Sequence, residues 1–212
     1  MKQIIMDNFG LYVILTRPAV GHVAAAEIAV RCGVRMLQLR EKNLPDNELL
    51  HIAREVRAVT RGTETRFIVN DRPDIALLSD ADGVHVGQGD LPVADVRRIV
   101  GREMIVGLST HSIDQARAAL ASEGVDYIGF GPVYPTTTKA VPDPVVGTAL
   151  LREVLGFAQL PVVAIGGIFP ETLPAVLAAG ARNPCLVRHF METADPAEME
   201  RRIREIQRMI GA

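Results

Sequence analysis

The sequence predicts an α/β fold, a (β/α)8 TIM barrel forming a single compact domain over residues 1–212. Three observations carry this. Short β-type runs alternate with amphipathic helical segments along the whole chain. Most of those runs are continuously apolar rather than alternating, as in strands buried on both faces under covering helices. Eight evenly spaced βα units follow one another, which suits a closed barrel better than an open doubly wound sheet.

Strands are expected at 11–15, 36–40, 66–70, 83–86, 104–108, 126–130, 161–165 and 185–187. Helices are expected between them at 23–31, 46–60, 93–100, 112–122, 148–155, 170–179 and 195–209, with a short turn or two at 73–79. Pro45-Asp46, Ser112 with Gln115 three later, and Asp195-Pro196 are start signals. Gly33, Gly62, Gly101, Gly124 and Gly180 follow helical patterns as terminators. Connections are short except the proline-rich stretch 131–144, which reads as an active-site loop.

Composition narrows the function. A formal charge of −2 lacks the basic excess of a nucleic-acid binder. The absence of Trp disfavours a base-stacking platform. Cys32 and Cys185 stand far apart among apolar neighbours and read as buried small side chains in a reducing compartment. The N-terminus has no signal-peptide core, and no run approaches the length of a membrane span. A cytoplasmic protein with no membrane or nucleic-acid partner is expected. The apolar stripe of 195–209 fits docking on the barrel as well as a homodimer face.

Active sites in such barrels lie at the C-terminal strand ends, and there the polar residues gather. The second strand ends in Gln38-Leu39-Arg40-Glu41-Lys42, whose alternation puts Gln38, Arg40 and Lys42 on one side as an anion site. The third ends in Asn70-Asp71-Arg72 and the fourth runs into Gly87-Gln88-Gly89-Asp90. Asp71 and Asp90, on adjacent strands, suit Mg²⁺; equally, Asp71 fits pairing with Arg72 and Asp90 fits a helix cap. The fifth ends in Ser109-Thr110-His111, where His111 fits either an acid/base group or a helix start. His85 reads as a barrel-interior residue, and the histidines lack zinc-site spacing.

After the sixth strand comes Gly131-Pro132-Val133-Tyr134-Pro135-Thr136-Thr137-Thr138-Lys139, which offers hydroxyls and an ammonium to a phosphate. Of the 23 basic residues only Lys2, Lys42 and Lys139 are lysine, so a lysine in this loop stands out. The seventh strand ends in Gly166-Gly167, where a backbone without Cβ atoms suits close approach to a phosphate. A helix beginning at Pro170 would add its N-terminal dipole.

Taken in order, these rim motifs resemble the thiamine-phosphate synthase family over residues 11–210. The resemblance implies a transferase joining a hydroxymethylpyrimidine diphosphate to a thiazole monophosphate with Mg²⁺. It implies that Gln38, Arg40, Lys42, Asn70 and Lys139 bind the pyrimidine diphosphate, that Leu39 and Glu41 are substrate-binding, and that Ser109 touches the pyrimidine. It assigns Asp71 and Asp90 to Mg²⁺. It assigns Thr136, Thr137, Thr138, Gly167, Val187 and Arg188 to the thiazole phosphate. Arg40, Lys42, Lys139 and Ser109 would form the catalytic set.

One region departs from the family pattern. The eighth strand commonly ends in serine; here Arg188 stands in its place, and Pro184 removes a backbone donor near the strand start. Two other readings remain open at this stage. A related thiazole tautomerase would rely on His111, and a non-catalytic barrel would bind thiamine precursors without turnover. Retention of Lys42, Asp71, Asp90 and 136–139 favours the synthase.

Overall fold

The computed structural model describes residues 8–136 and 143–211. Eight parallel strands pair in sequence order, and the last closes on the first. They are β1 (Tyr12–Leu15), β2 (Met36–Leu39), β3 (Arg66–Asn70), β4 (Gly83–Val86), β5 (Ile105–Thr110), β6 (Tyr127–Phe130), β7 (Val162–Ile165) and β8 (Asn183–Leu186). The helices are α1 (His22–Arg31), α2 (Asp46–Thr60), α3 (Pro73–Leu78), α4 (Val93–Val100), α5 (Ile113–Ala121), α6 (Gly147–Phe157), α7 (Leu173–Ala178), α8 (Arg188–Met191) and α9 (Pro196–Ile210). Among the described residues no helix is long and apolar enough to cross a membrane.

Strand alternation divides the apolar residues into two cores. Outward-facing Val13, Leu37, Phe67, Val84, Val106 and Ile128 pack against the helices, joined by Ile28, Val56 and Ile203. Inward-facing Tyr12, Met36, Ile68, Ile105, Tyr127, Val163 and Cys185 fill the barrel, and Phe9 lies against them. Burying each large side chain contributes about 1.5–3 kcal/mol. The stripe of α9 docks here: Met199, Ile203 and Ile206 are buried in the outer core.

A repeated device ties helices to strands at the N-terminal face. Asp82, just before β4, accepts from the Phe67 amide (2.8 Å) and from Arg57 of α2 (2.9 Å). Asp126, just before β6, accepts from the Val106 amide (2.9 Å) and pairs with Arg97 of α4. Each carboxylate thus satisfies a neighbouring strand amide and a half-buried guanidinium at once.

Besides α8, which was not expected, three elements depart from expectation. β5 runs on to Thr110, whose hydroxyl donates to the Gly129 carbonyl (2.9 Å), so Ser109 sits within the ladder. α7 begins at Leu173 rather than 170, because the Phe169 amide donates to Thr172 Oγ1 (2.9 Å) and closes a turn first. β8 starts two residues early and includes Pro184; its ladder to β1 is only Tyr12↔Cys185 and Val13↔Leu186. Asn183 extends that seam from below, its Oδ1 accepting from the Phe9 and Gly10 amides (2.9 and 3.2 Å).

Candidate active site

The rim pocket draws on every strand or its following loop. Arg40 and Lys42 extend from the end of β2, Asn70 and Asp71 from β3, Gly87 and Asp90 from the β4 loop. Ser109 of β5, Thr136, Gly167, Val187 and Arg188 complete the set brought together in one cavity. Thr137, Thr138 and Lys139 lie outside the described residues.

Two acidic residues and a lysine form its charged centre. Lys42 Nζ lies 2.9 Å from Asp71 Oδ2. Asp71 holds φ +60°, a left-handed backbone that few residues other than Gly, Asn and Asp adopt readily, and its amide donates to the His85 carbonyl (2.7 Å). Asp90 accepts from the Gly87 amide (2.7 Å), which closes the turn after β4 and aims the carboxyl toward Asp71. Burial first, and then the facing Asp71, push the Asp90 carboxyl above its usual range.

The alternative partners that the sequence offered Asp71 and Asp90 are not the ones they take. Arg72 pairs with Asp74 and Asp46, so Asp71 is left to the pocket. The residue before α4 is Pro92, and no side chain caps that helix. Among the described residues no group of three or more His, Cys, Asp or Glu is placed to hold a metal. The donor set is a carboxylate pair, which suits a hard cation that takes its other oxygens from water and phosphate.

Two residues of the second-strand motif do not present side chains to the pocket, which corrects the expectation for them. Leu39 is buried in the outer core because its parity faces the helices. Glu41 turns to the β1–α1 loop, where its Oε1 accepts from the Arg17 amide and lies 2.8 Å from His22 Nε2. Burial raises the Glu41 carboxyl, but these two partners outweigh it and hold it below its usual range. Glu41 thereby anchors the segment that carries Arg40 and Lys42.

Gly166 and Gly167 have a role beyond the one expected. Both hold positive φ, +98° and +63°. A Cβ on Gly166 would lie 2.5 Å from Pro132 Cα, and one on Gly167 2.6 Å from the Pro135 carbonyl oxygen. The space is taken by the loop after β6, which docks through Val133 N–H to Ile165 O and Tyr134 N–H to Gly166 O, both 2.9 Å. The two glycines thus seat the loop that carries Thr136. Beside them Arg188 places its guanidinium 4.9 Å from the centroid of the Phe169 ring, a cation–π contact at the pocket wall.

His111 is held at both ring nitrogens: Nδ1 donates to the Gly131 carbonyl (2.6 Å), and Nε2 lies 3.5 Å from Asp143. Its amide donates to Gln115 Oε1 (2.7 Å) while Ser112 Oγ caps Gln115 N, so the segment also starts α5.

Beneath the rim runs a buried polar chain that strand-end reasoning missed. Gln38 Nε2 donates to Tyr12 OH (2.9 Å), and Tyr12 OH meets Tyr127 OH (2.8 Å). Tyr127 OH meets His85 Nδ1 (2.9 Å), and His85 Nε2 meets Ser109 Oγ (2.9 Å). The inward parity that Tyr12 and Tyr127 share with Gln38 and His85 is the signal that points to them.

The comparisons with known proteins agree on one relationship. A profile of the family described as "Thiamine monophosphate synthase" matches residues 11–190. The chain is similar to the thiamine-phosphate synthase of Moorella thermoacetica, 39% identical over 204 residues, covering 95% of this chain and 97% of the relative. It is similar to that of Anaeromyxobacter dehalogenans, 43% identical over 187 residues, covering 88% and 82%. Among solved structures it resembles the thiamine phosphate pyrophosphorylase of Pyrococcus furiosus, with a TM-score of 0.85, 33% identity, and coverage of 97% and 99%.

Proposed function

The chain belongs to the thiamine monophosphate synthase family, and from that premise we infer how its rim joins a hydroxymethylpyrimidine diphosphate to a thiazole phosphate. The products are thiamine phosphate and diphosphate, and the activity is that of a transferase in thiamine biosynthesis.

The observation that carries the assignment of roles is the placing of two anion-suited groups in one pocket. Arg40, Lys42, Asp71 and Asp90 lie at β2–β4, and Gly167 and Arg188 lie across the barrel at β7–β8. One phosphorylated substrate fits each side, with the reacting atoms between them.

In this reading the pyrimidine diphosphate lies over Arg40 and Lys42. Asp71 and Asp90 would hold Mg²⁺, which would supply further positive charge to the departing diphosphate. Lys42, now paired with Asp71, turns to the diphosphate when the substrate arrives. Lys139 is proposed to join it. The methylene carbon–oxygen bond breaks with its electron pair going to the diphosphate, and the methylene becomes cationic. Fixed cations that meet charge as it develops accelerate such a step, typically by about 10²–10³-fold per group. The thiazole nitrogen then forms the new bond to that carbon. Thr136, Thr137, Thr138, Gly167, Val187 and Arg188 hold the thiazole phosphate so that the nitrogen approaches in line. No side chain has to move a proton at the reacting atoms.

Calorimetric titration of the pyrimidine diphosphate tests the division of the pocket. Affinity is expected to rise with Mg²⁺ in the wild type and to lose that dependence in Asp71→Asn. Thiazole-phosphate binding is expected to be unchanged in that variant. Equal loss of both affinities would contradict the division.

A further inference from the structure

The buried chain from Gln38 to Ser109 has a property that follows from counting protons. Its interior members are Tyr12, Tyr127 and His85, and with the imidazole taken as neutral each has one proton to give. They make four links: to Gln38, between the phenols, from Tyr127 to His85, and from His85 to Ser109. Three protons cannot fill four links. The fourth comes from one end only, so one of Gln38 and Ser109 donates inward and the other accepts.

In the structure Gln38 is the inward donor, through Nε2 to Tyr12. Tyr12 then donates to Tyr127, and Tyr127 to His85 Nδ1. His85 carries its proton on Nε2 and donates to Ser109 Oγ. Gln38 is left with Oε1 as its acceptor beside its second Nε2 N–H, and Ser109 is left with its O–H as a donor. Both residues line the pocket.

We propose that Tyr12, Tyr127 and His85 are positioning residues that tie Gln38 and Ser109 into opposite hydrogen-bonding roles, one acceptor and one donor, matched to an amino-substituted pyrimidine. Such a ring answers the acceptor with its amino N–H and the donor with a ring nitrogen. The 4-oxo counterpart offers the reverse pattern and meets unpaired groups. The proposal rests on the functional reading above and extends it to how the pyrimidine is selected.

Two further observations support it. Burial pushes both phenols far above their usual range, so they keep their protons throughout the physiological range. Gly107, at the inward position below Ser109, leaves the space the chain occupies. A Cβ there would lie 2.2 Å from Tyr127 Cζ and 2.4 Å from His85 Nδ1. The barrel omits a side chain at this position, and Tyr127 reaches His85 through the gap.

The test uses the 4-amino pyrimidine diphosphate and its 4-oxo counterpart as probes, with binding followed by calorimetry and the His85 ring nitrogens by ¹⁵N NMR. Wild type is expected to prefer the amino probe and to show His85 protonated on Nε2. Tyr127→Phe removes one link while keeping the ring. It is expected to lower the amino-over-oxo preference about tenfold or more and to mix the His85 tautomers. Thiazole-phosphate affinity is expected to stay unchanged. Tyr12→Phe cuts the neighbouring link and should do the same, which secures the test if one variant folds poorly. An unchanged preference and an unchanged His85 tautomer in a folded variant would overturn the proposal. None of these readouts needs turnover. A wild type that binds and discriminates the probes but forms no thiamine phosphate would therefore refute the functional reading and leave the selection mechanism standing.

Discussion

Lys42 Nζ and Asp71 Oδ2 are 2.9 Å apart, an ion pair joining the end of β2 to the end of β3 at the mouth of the barrel. Asp71 adopts φ +60°, which asparagine tolerates. Asp71→Asn therefore removes charge with little backbone cost. Turnover is expected to fall about 10²–10³-fold and to lose its response to added Mg²⁺. A Mg²⁺ titration of the initial rate, compared with wild type, checks this.

Asp90 tells the complementary story. Its carboxyl is raised by burial and by the facing Asp71, so the ionised form opposes folding. The sign follows from linkage: a raised carboxyl costs stability when ionised, and the cost shrinks as pH falls through its folded-state pKa. Asp90→Asn keeps an acceptor for the Gly87 amide. It is expected to raise Tm at pH 7 in the absence of metal while lowering activity. The gain should close as pH is lowered. Thermal melts across pH, without metal, measure it.

Glu41 has the opposite sign. His22 and the Arg17 amide hold its carboxyl below the usual range against the effect of burial. Its contribution is present above the unfolded carboxyl pKa and is lost as pH falls through the lower folded value. Glu41→Gln is expected to destabilise the protein at neutral pH and to converge with wild type in acid. Loss of this anchor also loosens the segment bearing Arg40 and Lys42, so KM for the pyrimidine diphosphate should rise. Melting curves and steady-state kinetics across pH separate the two effects.

The N-terminal face should answer differently from the rim. Asp82→Ala strands the half-buried Arg57 and frees the Phe67 amide. A loss of about 3 kcal/mol is expected, roughly 6–12 °C in Tm. The activity per folded molecule should be retained. Chemical denaturation alongside a rate assay at low temperature tests both parts.

Gly167→Ala addresses the loop seat. The added Cβ would lie 2.6 Å from the Pro135 carbonyl oxygen and 2.7 Å from Tyr134 Cβ, at a positive φ unsuited to alanine. The loop after β6 must shift, carrying Thr136 with it. KM for the thiazole phosphate is expected to rise at least about tenfold, with KM for the pyrimidine diphosphate much less affected, in a two-substrate kinetic analysis.

The barrel was legible because buried parallel strands leave continuous apolar runs, and because polar residues recur where those runs end. Gln38, Arg40, Lys42, Asn70, Asp71, Asp90 and Ser109 were found by position at strand ends, and all of them line one pocket. Tyr12 and Tyr127 were not found, since they lie within apolar strands and their function depends on partners more than 20 residues away in sequence. The four-residue α8 is too short to leave a periodicity. The start of α7 was displaced by a local competitor, the Thr172 hydroxyl, which a helical pattern does not reveal. Glu41 shares its strand end with Lys42 but follows its parity to the other side.

The most direct measurement mixes the purified protein with the pyrimidine diphosphate, the thiazole phosphate and Mg²⁺, and follows both products. Thiamine phosphate and diphosphate should appear in equal amounts, with neither product when one substrate is left out. Formation of no thiamine phosphate, with or without Mg²⁺, by protein that binds both substrates would contradict the account.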